Sequence, residues 1–343
     1  MDELVAAGAP WPCGVAVSGG GDSVALMYLL AGWAKRRRRR PPPVLTVDHG
    51  LRAGSDRESR EVVRWARKSG LEGHVLRWSG PKPGSDLEAA ARDARYRLIG
   101  AWLKRQGLRG VCVGHTRDDQ AETFLLRLAR GSGLDGLAAM RPLSAFPLED
   151  FSDLVLMRPL LSLERGAVRD HLQRLDQRWF DDPMNSDARF SRARLRTHWG
   201  VLEGLGLTAA RVAAAASHLS RAREALDAVT IAVLARACRL DGKTALVDPA
   251  ALAAAPREIG LRALARMLMT VSGHRYRPRF ERLERVFDWL GHGNVAQGCT
   301  LHGCHIGRAP KAQAIFGAET VLIAPEKPRR PGKMGKIDST VAK

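Results

Sequence analysis

Cysteine is scarce in this 343-residue sequence and poorly placed for cross-linking: Cys13, Cys112, Cys238, Cys299 and Cys304 form an odd, scattered set of five with no CxxC pair. That argues against a disulfide framework and against iron–sulfur or zinc-ribbon sites built from paired thiolates, and reduced thiols are expected. Long apolar runs are also missing, and nothing approaches the roughly 18 residues that span a bilayer. Leu4 to Ala9 is apolar but short, follows acidic residues and runs into Pro10 and Pro12, so it lacks the charged start and long apolar stretch of a secretion signal. A cytoplasmic protein without a membrane partner is expected. Acidic residues are the third shortage. Asp and Glu number 36 against 55 Lys and Arg, leaving a formal net charge of +19. Such an excess points to a polyanion, nucleic acid first, the plainer reading being a generally arginine-rich surface.

What is present divides into two patterns. The N-terminal part alternates short β-rich runs with amphipathic stretches, the rhythm of an α/β domain with a doubly wound parallel sheet. Strands are expected at Val15 to Val17, Val44 to Val47, Gly73 to Trp78 and Val111 to Val113. Helices are expected at Asp22 to Trp33, Glu58 to Lys68, Leu87 to Gln106 and Asp119 to Leu128. From Thr208 alanine-rich helical segments dominate: Thr208 to Leu240, Pro256 to Val271 with proline at the helix start, and Arg279 to Leu290. Short β-like runs follow at Gly298 to Ile306 and Thr320 to Ile323. The expected organisation is a catalytic domain over 1–205, a second, mainly helical domain over 206–325, and a disordered basic tail over 326–343. His292, Cys299, His302, Cys304 and His305 lie close together, but their irregular spacing favours a β-turn with core thiols over a metal site.

Ser18-Gly-Gly-Gly-Asp-Ser23 follows the first strand and opens a helix. Three glycines leave successive backbone N–H groups unobstructed, and the helix directs its positive end to the same spot, so the segment is an anion cradle. It lacks the Lys-Ser/Thr ending of a Walker loop and the spacing of GxGxxG. A second cluster, Gly114-His-Thr-Arg-Asp-Asp-Gln-Ala-Glu-Thr123, again joins a strand to a helix. Asp118, Asp119 and Glu122 fall within about one helical turn, where their repulsion costs stability unless a cation offsets it. One acid would satisfy the helix dipole. Three, with His115 upstream, point to a site for magnesium, an ammonium group, or both.

The glycine loop resembles that of the PP-loop ATP pyrophosphatases, whose SGGxDS segment binds ATP and whose members cleave it between the α and β phosphates to adenylate a substrate. Ser18, Gly19, Gly20, Gly21, Asp22 and Ser23 match every fixed position. The resemblance implies ATP bound by these six residues, with Asp22 as the ligand of a phosphate-bridging Mg²⁺, since a hard dication prefers carboxylate oxygen. Asp48, in Val47-Asp-His-Gly50, ends the second strand, where such folds present ligand contacts, and His49 beside it has an equal reading as a plain loop imidazole.

Four further segments join the acidic cluster in chain order: Leu87 to Tyr96, Arg130 to Met140, Arg158 to Leu161 and Asp181 to Arg196. Together they are similar to the tRNA(Ile)-lysidine synthases, a bacterial family that attaches free lysine to C2 of the wobble cytidine in the CAU anticodon of an isoleucine tRNA. The likeness spans roughly residues 14–200 and is weak beyond 210. It implies two steps: the cytosine O2 attacks the α-phosphate of ATP, releasing pyrophosphate, and the lysine amine then displaces AMP. It further implies catalytic roles for Asp22, Arg95, His115, Asp118, Asp119 and Glu122, without dividing metal and lysine duties among the acids. Asn185, Arg189, Arg192, Arg194 and Arg196 are the implied tRNA-binding residues, the alternative being a solvated basic stretch. The sequence departs from the family at Thr116, where a second histidine is common, and in a C-terminal region shorter than the longest members carry. Lys35 to Arg40, a basic run before three prolines, reads as a loop insertion with no assigned role. A tRNA 2-thiolation enzyme of the same superfamily is the nearest alternative, though such enzymes use the cysteine pairs missing here. A basic RNA-binding protein with a decayed ATP site is the alternative of another class, against the intact Asp22 and acidic trio. A homodimer stays open.

Overall fold

A computed structural model describes residues 1–181, 191–274, 276–293 and 298–326. Asn185, Arg189 and residues 327–343 of the expected tail lie outside the described residues. The chain separates into two compact units, Met1–Arg221 and Ala222–Lys343.

The first unit opens with α1 (Asp2–Ala6), β1 (Gly14–Ala16), α2 (Gly21–Arg36), β2 (Val44–Asp48), α3 (Ser55–Lys68), β3 (Gly73–Arg77), α4 (Leu87–Arg105), β4 (Gly110–Cys112) and α5 (Arg117–Leu128). It continues with α6 (Leu134–Leu137), β5 (Leu143–Ala145), β6 (Val155–Met157), α7 (Arg165–Arg174), α8 (Ser191–Thr197) and α9 (Trp199–Gly204), and the division between the units falls within α10 (Ala209–Ala237). Six strands pair in the order β3-β2-β1-β4-β6-β5, parallel throughout except for the antiparallel β5 edge. Central strands covered on both faces must be apolar on both faces. Val15, Val44, Leu45, Val111 and Cys112 are accordingly buried. One face packs against α2 and α3 through Leu26, Met27, Val62 and Trp65, the other against α4 through Ile99, Trp102 and Leu103. This is the expected α/β architecture. β5, β6 and α7 are additions to the expected elements.

The strand order reverses between β1 and β4, and such a reversal opens a crevice beyond the carboxyl ends of the two strands. The two clusters singled out in the sequence are the loops that leave those ends.

In the second unit the remainder of α10 is followed by β7 (Cys238–Asp241), β8 (Thr244–Val247), α11 (Pro249–Ala253), α12 (Arg257–Ser272), α13 (Phe280–Gly291), β9 (Cys299–Leu301), β10 (Cys304–Arg308) and β11 (Val321–Pro325). The helices pack on a five-stranded antiparallel sheet ordered β7-β8-β11-β10-β9, through a core that includes Leu264, Leu268, Ile306 and Ile323. Pro256 is the N-cap of α12, as its place in the sequence indicates. The helix expected to reach Leu240 stops at Ala237, and Cys238 to Asp241 turns into the edge strand of the sheet. β9 and β10 form a hairpin whose turn residues His302 and Gly303 both have positive φ, 57° and 72°, with Cys304 buried behind it. Among the described residues no helix is long and apolar enough to cross a membrane.

Candidate active site

The phosphate loop owes its shape to small residues. Gly19 has φ +94°, a conformation side chains avoid, and a Cβ there would sit 2.8 Å from the Phe180 ring. Phe180 donates its backbone N–H to Gly19 O at 2.9 Å and stacks on Trp65, so the segment after α7 closes over the loop. Gly20 is the N-cap of α2. The two serines brace each other: Ser23 Oγ donates to Gly20 O at 2.8 Å, accepts from the Ser18 backbone N–H at 3.1 Å, and lies 3.1 Å from Ser18 Oγ. From the other side of the crevice Gly114 comes so close that a Cβ would stand 2.9 Å from the main-chain carbon and oxygen of Asp22.

The second loop starts α5 with a capping box. Asp119 Oδ2 accepts from the Thr116 backbone N–H at 2.8 Å and from its hydroxyl at 3.0 Å. Thr116, the departure from the family pattern, is therefore the helix cap. The three acids have separate duties. Asp118 Oδ2 accepts the backbone N–H of Arg165 at 2.8 Å, which fixes the start of α7, and Asp118 does not line the cavity. Asp119 lines the cavity with Asp22, whereas Glu122 is buried beside them. Glu122 is 2% exposed and holds Arg196 through two hydrogen bonds of 2.7 and 3.1 Å.

The cation that offsets this charge is Arg165, which lies outside the residues expected to form the site. Its guanidinium donates to Asp22 Oδ2 at 3.2 Å, to Asp119 Oδ1 at 3.1 Å and to Glu122 Oε1 at 3.1 Å. Arg192 stands 3.6 Å from Asp119 Oδ1 and 3.3 Å from the Thr123 hydroxyl, and Arg169 lies 3.9 Å from Asp22 Oδ1. Arg194 is exposed on the same helix as Arg192. Burial pushes the Asp119 carboxyl up, but Arg165, the Thr116 N–H and the neighbouring cations together hold it below the ordinary range. For Asp22 the balance is reversed: burial and the charge of Asp119 outweigh Arg165 and raise it. A basic residue in the first turn of a helix opposes the macrodipole. That unfavourable placement, in a turn without acids, is the sequence signal that could have marked Arg165.

Asp22, Asp119, Arg165, Arg169 and Arg196 line a cavity of about 580 Å³ that also receives His49, Arg95, Tyr96 and His115. Burial lowers the His115 pKa to about 4, with the surrounding arginines adding to the effect. Arg158 Nε donates to His115 Nδ1 at 3.3 Å, so the neutral ring carries its proton on Nε2. His49 is likewise lowered to about 4 by burial and by Arg95, and its Nδ1 is buried without a hydrogen-bond partner among the described residues. Arg95 lies on the cavity wall. Asp48 instead ties its own loop together, accepting from Gly50 N–H at 3.0 Å and from the Ser55 hydroxyl at 2.7 Å. Gln120 exchanges two hydrogen bonds with the main chain of Met140 and so fastens the Arg130 to Met140 segment to α5. For a divalent cation, Asp22 offers a fitting donor: its Oδ1 is buried and makes no hydrogen bond among the described residues.

The profile of the PP-loop domain matches residues 4–201. The chain is 40% identical to the tRNA(Ile)-lysidine synthase of Ruegeria pomeroyi over 296 residues, covering 86% of this chain and 69% of that protein. It is 39% identical to the enzyme of the same name from a Bradyrhizobium species, over 92% of this chain and 90% of that one. The corresponding protein of Methylobacterium nodulans is 39% identical over 97% of this chain and 95% of its own length. A phosphate loop and an acidic helix start facing one cavity, together with these relatives, lead to one assignment: the chain belongs to the tRNA(Ile)-lysidine synthase family of PP-loop proteins.

Proposed function

We propose that this chain ligates free lysine to C2 of the wobble cytidine in a CAU-anticodon isoleucine tRNA, using ATP and releasing pyrophosphate and AMP. The observation that carries the reading is the joining of an anion cradle and a buried carboxylate group in one cavity. Adenylation and amine capture need both charge environments within reach of one base.

In the first step the cytosine O2 attacks the α-phosphorus of ATP and the bond to the β-phosphate oxygen breaks, so pyrophosphate leaves. The loop N–H groups and the Ser18 and Ser23 hydroxyls bind the phosphate chain, and Arg95 offsets the charge that develops on it. Mg²⁺, when bound, neutralises the triphosphate; Asp22 is the residue that would hold it. In the second step the lysine amine forms a bond to C2, the C–O bond to AMP breaks, and the amine loses its proton. Asp119 and Glu122 supply the carboxylates that hold the lysine ammonium. His115, neutral at physiological pH, presents a fixed N–H donor to the cavity. An anticodon base enters without melting a duplex, because loop bases can be splayed out. The exposed Arg192 and Arg194 contact RNA phosphates beside it, while Arg196 is engaged by Glu122.

The test is direct. Purified protein with ATP, Mg²⁺ and labelled lysine is expected to label an isoleucine tRNA bearing CAU. No incorporation, with pyrophosphate release that does not depend on tRNA, rejects the reading.

A further inference from the structure

Among the described residues the three clustered carboxylates already have one cation too many. Asp22, Asp119 and Glu122 face four guanidinium groups, those of Arg165, Arg169, Arg192 and Arg196, at 2.7 to 3.9 Å. Three of these arginines reach the acids from the rim. Arg169, Arg192 and Arg196 expose 43%, 44% and 34% of their side chains, and among the described residues each pairs with one acid of the three. Arg165 differs. Its side chain is only 17% exposed, and it is the one among the described residues that bridges all three acids, spending a separate N–H on each. A lysine ammonium is also a monocation with three N–H donors. Lysine has two amines. One must be neutral to attack C2, and the other stays charged and needs acceptors.

We propose that Arg165 is an internal stand-in for the substrate ammonium: its guanidinium fills the position among Asp22, Asp119 and Glu122 that an ammonium group of lysine takes, and lysine binds by displacing it. The inference rests on the lysine reading given above. Charge alone requires an exchange rather than an addition. With Arg165 in place an incoming ammonium meets a group of net positive charge; with Arg165 turned away, three carboxylates face three rim cations and the ammonium enters a neutral shell. The main chain is arranged so that only the side chain need move. The Arg165 backbone N–H donates to Asp118 at 2.8 Å, and Arg117 N–H donates to Leu163 O at 2.9 Å, which fixes the start of α7 whatever the rotamer. Those bonds also survive substitution of the side chain. Arg165 is in this role a positioning residue, since it bridges the three acids and offsets their charge until lysine arrives.

The test is lysine binding by calorimetry to the whole protein and to Arg165→Met, beside labelled-lysine incorporation by the unsubstituted protein. Removing the competitor is expected to lower the lysine Kd about tenfold. Methylguanidinium added at millimolar concentration is expected to bring the Kd of Arg165→Met back toward that of the unsubstituted protein and to leave the latter unchanged. A purely structural role gives no such rescue. Arg165→Lys keeps an internal cation and retains the weaker affinity. Arg165→Gln serves if the methionine variant does not fold, with the same tightening expected. Product formation by the unsubstituted protein without tightening in either neutral variant rejects the role of Arg165 alone. No product and no lysine binding in any form rejects the lysine reading and this inference with it.

Discussion

Gly114→Ala is the substitution in which fold and site are most tightly coupled. The added Cβ would stand 2.9 Å from the Asp22 carbonyl carbon, from its oxygen and from Ser23 Cα, all three main-chain or backbone-attached atoms that no rotamer change can withdraw. Ordinary contact requires about 3.4 Å or more, so β4 and the start of α2 must part by roughly half an ångström. Overpacking of this kind costs about 1–3 kcal/mol. For a unit of this size each kcal/mol lowers Tm by roughly 2–4 °C, so a fall of about 2–12 °C is expected. The displaced atoms belong to the phosphate loop. A misplacement of about 1 Å costs on the order of a hundredfold in rate, so half of that should slow pyrophosphate release on the order of tenfold. Gly200→Ala is the control. It lies in α9 with nothing within 4 Å of its Cβ position, and alanine should stabilise it by about 0.5–1 kcal/mol. Scanning calorimetry and a pyrophosphate-release assay on both variants decide the matter. A Gly114→Ala protein with unchanged Tm and unchanged release would refute the argument that this contact sets the loop.

Three other outcomes follow from the same geometry. Asp22→Asn should abolish tRNA-dependent pyrophosphate release while tRNA binding, followed by filter retention, persists; undiminished release would remove Asp22 from the first step. Glu122→Gln breaks a buried pair with Arg196 and Arg165 and should cost about 3 kcal/mol, read as a lower denaturation midpoint together with a raised KM for lysine. An unchanged midpoint would show the pair to be dispensable. For His115, folding lowers the pKa from 6.5 to about 4, so between these values the unfolded chain binds the extra proton. Stability must then fall as the pH drops from 6.5 toward 4, by at most roughly 1.4 kcal/mol per pH unit. Urea unfolding at pH 6.5 and 5 should show a smaller loss in His115→Gln than in the unsubstituted protein, and equal losses would contradict the buried neutral imidazole.

The parts of the molecule that were legible in the sequence are those whose physics is local. The phosphate loop is legible because glycine conformation, the serine braces and the helix start all lie within Ser18 to Ser23, and the central strands because burial on both faces leaves continuous apolar runs such as Val15 to Val17. The second sheet was read only at its C-terminal end. Cys238 to Asp241 follows an alanine-rich helix without a glycine or proline break, so helical propensity runs past the point where pairing with Thr244 to Val247 takes over. β5 and β6 are three residues each, too short for alternation to register, and their pairing is decided by partners distant in the chain.

The acidic cluster shows where local reasoning ends. That three carboxylates in one turn require a cation is a sound inference from repulsion, but the sequence does not say whose cation it is. The answer lies in the meeting of α2, α5 and α7, which places a side chain from residue 165 against acids at 22, 119 and 122. The same meeting separates acids that look alike in sequence. Asp118, one position before Asp119, faces a backbone N–H and becomes part of the scaffold, while Asp119 lines the cavity and Glu122, three positions on along the same helical face, is buried against Arg165 and Arg196. An internal arginine in place of an external ion changes what the cluster means. Carboxylates that await a metal should be poorly ordered and strained in its absence, whereas a group already neutralised by Arg165 is pre-organised in the free protein, and its occupancy by a ligand becomes a competition between two cations. That is why affinity for lysine, rather than stability, is the quantity on which Arg165 should act most.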